Sequence, residues 1–234
     1  MSGLVRVARV EARLAPYRWA WAEANEAAIA ANWERRRART PAMFNGRVLM
    51  VAATRRTGDR FEAHFFATDY ANLIAWIDMG QPDPGVANGF AMGALQSADG
   101  AFILGRMADH TANAGRLYFP CGTPDLSDVT GAGEVDLAGS LLREIEEETG
   151  FLAHELAVES GWTILREAGL LAFMRIARLR IDAEAARERI LAHLARDPRP
   201  ELSGVRLVRS LSDLGNAPVP AVVPVFLRDA LGDD

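Results

Sequence analysis

The sequence contains no lysine: all 26 of its basic side chains are arginine. Arginine suits bidentate binding of phosphate. A bias of genomic base composition explains the excess equally well, along with the abundant alanine, so composition alone places no arginine in a site. Cysteine is almost missing. The lone Cys121 excludes an internal disulfide and a cysteine-rich zinc site, and it fits a reducing, cytoplasmic location. Long apolar runs are lacking as well. Residues 169–176 form a stretch far too short to cross a bilayer, and it reads as a buried strand. The opening Met1-Ser2-Gly3-Leu4-Val5-Arg6 does not have the pattern of a signal peptide, and no membrane partner is expected. There is no surplus of positive charge either. The formal net charge is −5, which argues against a nucleic-acid partner, since such proteins usually carry a basic footprint.

What is present is ordinary for a globular protein: 234 residues, half of them hydrophobic and about a quarter charged. Residues 4–12 alternate as a strand does. Pro16 then opens a helix to about Arg39, with Trp19, Ala22, Ala27, Ala30 and Trp33 as its buried stripe. Residues 47–53 and 60–68 form a hairpin around Thr57-Gly58-Asp59, and 69–79 a short helix. The segment 80–85, with two prolines, is the strongest linker. It divides an N-terminal extension, residues 1–85, from a domain at 86–234. That domain reads as a second hairpin (89–96 and 101–107), a polar loop (108–115) and a short strand (116–120). A Gly/Asp/Thr/Ser-rich loop (122–134), an acidic helix (136–149) and strands at 162–166 and 170–180 follow. Asp182 caps a helix to about Arg196, and a strand (205–208) and a terminal helix (222–230) end the chain. Strands and helices mix without a regular β-α-β alternation, so the fold class is α/β of the α+β kind, a mixed sheet covered by helices.

The chemistry concentrates in the acidic helix. At about 100° per residue, Ala138, Leu141, Leu142 and Ile145 share one face. Glu144, Glu147 and Glu148 share another, while Glu146 points to solvent. Arg143 lies one turn before Glu147 and can pair with it. Three carboxylates on adjacent turns repel one another by a few tenths of a kcal/mol per pair. They also sit near the helix C-terminus, where the helix dipole disfavours negative charge. A hard divalent cation reverses that balance, because Mg²⁺ takes oxygen ligands and bridges carboxylates to substrate phosphates.

The string Arg143-Glu144-Ile145-Glu146-Glu147-Glu148-Thr149-Gly150-Phe151 resembles the Nudix box. Its second half, Arg-Glu-hydrophobic-any-Glu-Glu-any-Gly-hydrophobic, is met at every fixed position. The first half departs from the pattern. The family's glycine most resembles Gly122, which implies an insertion near 125–131, and the family's first glutamate falls on Val135. Glu134 and Asp136 lie one residue to either side; either can reach the metals, or Asp136 caps the helix. The resemblance implies a Nudix-type α/β/α sandwich around a mixed sheet. It also implies Mg²⁺ or Mn²⁺ on Glu144, Glu147 and Glu148, and hydrolysis of a nucleoside diphosphate linked to another group. By the same resemblance Glu144 and Glu147 act in catalysis and Arg143 holds the glutamates in place. The base is a box glutamate or a distant carboxylate, for which Glu201 is the candidate.

A weaker resemblance, carried by Trp33-Glu34-Arg35-Arg36, Phe44-Asn45-Gly46, Cys121-Gly122-Thr123-Pro124-Asp125 and Val135-Asp136-Leu137, is to the UDP-sugar diphosphatase branch. It points to a nucleotide sugar as the small-molecule partner. ADP-ribose, dinucleotide or CoA substrates, and a non-catalytic nucleotide-binding module, stand as alternatives. Arg106, Arg116 and Gly122 are candidate substrate contacts, with His110 and Asn113 beside them. Trp76 and Trp162 can stack on a base or fill the core, and His154 can shuttle protons. His64 and His193 read as core-edge or surface residues. Nothing in the sequence decides between a monomer and a homodimer.

Overall fold

Near-continuous apolar runs, such as 89–95 and 171–174, build strands buried on both faces. In the computed structural model, which describes residues 3–111 and 113–232, the strands are β1 (Gly3–Val7), β2 (Arg9–Leu14), β3 (Arg47–Thr57), β4 (Arg60–Asp69), β5 (Asn88–Gln96), β6 (Phe102–Met107), β7 (Leu117–Tyr118), β8 (Cys121–Gly122), β9 (Ala157–Val158), β10 (Trp162–Glu167), β11 (Leu170–Arg178) and β12 (Leu202–Val208). The helices are α1 (Ala20–Ala24), α2 (Glu26–Arg39), α3 (Tyr70–Asp78), α4 (Leu137–Thr149), α5 (Ala183–Leu194) and α6 (Val222–Leu231).

The larger sheet runs β1-β10-β11-β5-β6-β12, with β7 on β6, β8 on β5 and β9 on β11. It is mixed, because β5 and β11 pair parallel while their other partners are antiparallel. One face of this sheet, including Ala91, Leu95, Leu171 and Phe173, packs on Leu141 and Ile145 of α4 and on Ala186 and Ile190 of α5. The other face, with Phe90, Met92, Ala172 and Met174, packs on Val222, Val223, Phe226 and Leu227 of α6. The result is an α/β/α sandwich around a mixed sheet, as the sequence predicts. Helix α4 lies close to the sheet because β5 carries Gly93 at the crossing, where a Cβ would come within 2.5 Å of Ile145.

A second sheet, β2-β4-β3, contributes Leu49, Val51, Phe61 and Phe65 to the same core layer as α4 and α5. Phe61 and Phe65 meet Phe173 of the larger sheet with ring centroids 6.0 Å apart. The outer face of the second sheet, with Met50 and Phe66, is covered by Trp19, Ile29, Trp33 and residues of α3.

Two elements differ from the sequence reading. Residues 4–12 are not one strand. The amides of Ala8 and Arg9 both donate to the Asp59 carbonyl at the β3–β4 turn (2.9 and 3.1 Å). The chain bends there, so β1 joins the larger sheet and β2 the smaller one. Period-two alternation is blind to such a change of partner. The helix expected from Pro16 to Arg39 breaks at Asn25, whose backbone is not helical (φ −121°, ψ 19°). The break resets the phase: Ile29 and Trp33 are buried, whereas Ala27 and Ala30 face solvent.

Candidate active site

Helix α4 starts on Asp136, whose side chain accepts the Gly139 amide at 2.9 Å, and stops at Gly150 in the left-handed conformation (φ 73°). Its C-terminal carbonyls, which disfavour nearby carboxylates, are tied to α5: His193 Nε2 lies 3.0 Å from the Glu147 carbonyl, and Arg189 donates to the Gly150 carbonyl at 3.3 Å. Arg189 also pairs with Glu155 and lies over the Phe151 ring. Leu141 and Ile145 are buried as expected; Ala138 and Leu142 sit half-buried at the flank of that face.

The opposite flank of α4 opens on a cavity of about 440 Å³, into which Glu144, Glu147 and Glu148 all project. Glu201, from the segment before β12, lines the same cavity, and so do Gly122 and His193. The three helix carboxylates are not equivalent. Glu147 is exposed, Glu144 is half-buried, and Glu148 keeps only 7% of its surface. Burial pushes the Glu144 carboxyl up to about 7; Glu147 and Glu201 add to the effect, and Arg143 opposes it. Burial raises Glu148 well above the usual carboxylate range, reinforced by Glu144, although the Cys121 amide donates to it at 3.3 Å. The Cys121 thiol is held protonated by burial and by the same carboxylates. Gly122 permits this packing, since a Cβ there would overlap the Glu144 carboxylate.

Arg143 does bridge Glu144 (3.4 Å) and Glu147 (3.8 Å), but its short contact is with Asp128, at 2.6 Å. Asp128 lies in the insertion, in a 3-10 turn at Leu126–Asp128, with its side chain 2% exposed and receiving the Asp125 amide. The sequence reading did not identify Asp128. One signal was available: the Asp125-x-x-Asp128 capping pattern. Glu134 and Asp136 do not line the cavity. Glu134 is exposed and pairs with Arg13, and Asp136 is the cap.

Next to the acidic cavity, and sharing Cys121 and Gly122 with it, is a second one of about 390 Å³. Arg116 and Asn113 line it; Arg106 and His110 line neither. Trp76 is fully buried and donates to the Asp83 carbonyl. Trp162 is buried under the Arg175 guanidinium, 3.9 Å from its ring centroid. His64 and His154 are exposed and line neither cavity.

The carboxylates of Glu144, Glu147, Glu148 and Glu201 dominate the acidic cavity, with His193 and Cys121 beside them; Glu148 receives one amide, and Arg143 contacts Glu144 and Glu147. That chemistry fits a hard divalent cation. As the side chains stand, no group of three or more His, Cys, Asp or Glu among the described residues is arranged to hold a metal ion.

No protein-family model matches the chain, and no curated protein does. Several solved structures are similar to it. One is RenU, a Nudix hydrolase from M. smegmatis, 16% identical over 61% of this chain and 82% of its own, with a TM-score of 0.38. Another is the MutT protein from Methanosarcina mazei Go1, 18% identical over 62% and 92%, at 0.39. A third is DR0079 from Deinococcus radiodurans, 17% identical over 64% and 88%, also at 0.39.

Proposed function

We propose that the chain is a Nudix-type pyrophosphohydrolase that uses Mg²⁺ to cleave a nucleoside diphosphate linked to another group, a nucleotide sugar being the first substrate to test. The products are a nucleoside monophosphate and a phosphorylated remainder. The observation that carries this reading is the convergence of Glu144, Glu147, Glu148 and Glu201 on one cavity, next to a second cavity able to take an organic group. Glu144, Glu147 and Glu148 are the residues that would hold the metal; when bound, Mg²⁺ or Mn²⁺ supplies polarisation of phosphoryl oxygens and acidification of water. Arg143, anchored on Asp128, fixes the direction of Glu144 and Glu147. Glu201 lines the same cavity from outside the helix, as Asp197 and His193 do, and would be the group that takes a proton from the attacking water. Arg116 lines the second cavity and would receive the phosphate of one half of the substrate. Residues 86–234 carry this chemistry and 1–85 pack against them. The protein acts in the cytoplasm, as a monomer or homodimer, without nucleic-acid or membrane partners; no described helix is long and apolar enough to cross a membrane.

The test is turnover of a panel of nucleotide sugars, ADP-ribose, dinucleotides and CoA with Mg²⁺, read by chromatography of the products, in the wild type and in Glu147→Gln. Turnover abolished by the substitution supports the assignment, and turnover that survives it removes Glu147 from the metal site. A second reading, a binding module without hydrolysis, is kept open by the displaced first glutamate; tight binding without turnover across the panel would select it.

A further inference from the structure

Two of the three helix carboxylates are held at their side chains. Arg143 meets Glu144 at 3.4 Å, and the Cys121 amide meets Glu148 at 3.3 Å. Glu147 is held differently. Its carboxylate is exposed and lies 3.8 Å from Arg143, and its firm contact is at the backbone. Past the end of α4 the Gly150 amide goes to the Glu146 carbonyl (2.8 Å) and the Phe151 amide to the Thr149 hydroxyl (3.4 Å). The Glu147 carbonyl is therefore one of the acceptors that a helix C-terminus leaves without an amide. Among the described residues the donor that meets it is His193 Nε2, at 3.0 Å. A carbonyl can only accept, so Nε2 carries the proton. Gly150 makes room for the ring, since a Cβ there would come within 2.7 Å of Nδ1. Both ring nitrogens thus face the last turn of α4. His193 is carried to this place by α5, which is fixed to the core through Ala186, Ile190 and Leu194. One turn earlier on the same helix, Arg189 donates to the Gly150 carbonyl at 3.3 Å.

We propose that His193 is a positioning residue of the metal site: by capping the Glu147 carbonyl from α5, it fixes the turn from which Glu147 reaches the cation. It acts through Glu147 and not by contact with the cation. This role rests on the pyrophosphohydrolase reading and adds to it a residue outside the acidic helix. The physical cause is order. An exposed glutamate side chain is free to swing, and a frayed last turn would let its backbone move as well. The hydrogen bond from His193 removes the second freedom before the cation arrives, so less ordering remains to be done on binding. Groups that orient metal ligands typically change affinity 10–100-fold. A contact made to the backbone and not to the carboxylate belongs at the low end, about tenfold.

The experiment is titration of the chelator-stripped protein with Mn²⁺, read by electron paramagnetic resonance of the free ion, and with Mg²⁺, read by calorimetry. The wild type is compared with three variants. His193→Leu keeps bulk without a donor, His193→Gln carries an amide N–H at about the reach of Nε2, and His193→Asn carries one that stops a carbon short. The Kd for both cations should rise about tenfold in His193→Leu and His193→Asn, and stay within about threefold of the wild type in His193→Gln. In turnover, the Mg²⁺ concentration that gives half the maximal rate should rise in the same order, and more than KM for the nucleotide does. Wild-type affinity in His193→Leu and His193→Asn, or a His193→Gln variant as weak as His193→Leu, would overturn the role. If His193→Leu does not fold, His193→Asn carries the same comparison. A wild type that binds neither cation would overturn the role together with the metal site. Cation binding in the expected order, without turnover of any nucleotide, would sink the hydrolase reading and leave the role of His193 standing. Turnover with a cation affinity indifferent to these substitutions would do the reverse.

Discussion

Replacing Glu144 by Gln should make the metal-free protein more stable at alkaline pH. Burial, then the proximity of Glu147, places the Glu144 carboxyl at about 7 in the folded chain, against an ordinary value of about 4.5. A carboxyl whose folded pKa is raised holds its proton more tightly in the native state. Its contribution is therefore fully present below about 4.5 and is lost as pH rises through about 7. At 1.36 kcal/mol per pH unit that gap corresponds to about 3 kcal/mol lost by pH 8. Gln removes the charge and also part of the attraction to Arg143, so the net gain at pH 8 should be about 1–3 kcal/mol. For a chain of this length each kcal/mol moves Tm by roughly 2–4 °C. Thermal and urea unfolding in a chelator at pH 5.5 and pH 8.0 measures the effect, and repeating the series with Mg²⁺ tests its cause. The wild type should recover stability with the cation, and the variant should recover less. If Glu144→Gln is no more stable than the wild type at pH 8 without metal, or keeps the same dependence on pH, the buried charge is not where the structure puts it.

Other substitutions address the parts around that carboxylate. Asp128→Ala should cost about 2 kcal/mol by urea unfolding, because it leaves Arg143 without its buried partner but still partly in contact with water. It should also weaken Mg²⁺ binding roughly 10–100-fold, as a Mg²⁺ titration of turnover would read. Gly122→Ala forces a methyl onto the Glu144 carboxylate; turnover should drop about 100-fold, as for catalytic groups displaced by an ångström, and near-wild-type rates would refute the packing. Ala168→Asn relieves a positive φ that asparagine tolerates better, and should raise stability by up to about 1 kcal/mol in the same unfolding assay.

The order of elements was legible because patterning and turn chemistry agree along most of the chain. The β3–β4 hairpin turns at Gly58 with φ 57°, both helix caps at Asp136 and Asp182 are made, and the run 169–176 is buried on both faces as β11. The acidic helix was legible down to its two faces. What could not be read are facts of partnership. Nothing local tells residues 4–12 to divide between two sheets, because each half alternates correctly for its own partner. Nothing in His193, an ordinary polar residue near a helix end, announces a carbonyl partner on another helix; that emerges only once the neighbours are in place. Asp128 was hidden for a related reason. It occupies the stretch near 125–131 that the resemblance leaves without a counterpart.

That insertion is stitched to the N-terminal sheet at both ends. On one side Leu49 of β3 donates to the Pro124 carbonyl at 2.7 Å and Val48 bridges Asp125. On the other, Leu14 of β2 donates to Gly133, Val135 donates to Ala12, and Arg13 pairs with Glu134. Between these two seams the Leu126–Asp128 turn is capped by its own aspartates, and Asp128 accepts the Asp125 amide while it grips Arg143. Residues far outside the acidic helix thus set the position of the arginine that contacts its glutamates. The displaced first glutamate is consistent with this arrangement. Glu134 serves the seam with β2, and Asp128 of the 126–128 turn gives Arg143 its shortest contact. A longer loop normally costs order, but the closure cost grows only slowly with length, and here both ends are fixed by strand-like hydrogen bonds. The N-terminal segment therefore acts on the site as a support: it contributes no carboxylate to the cavity and holds the loop that orients those that are there.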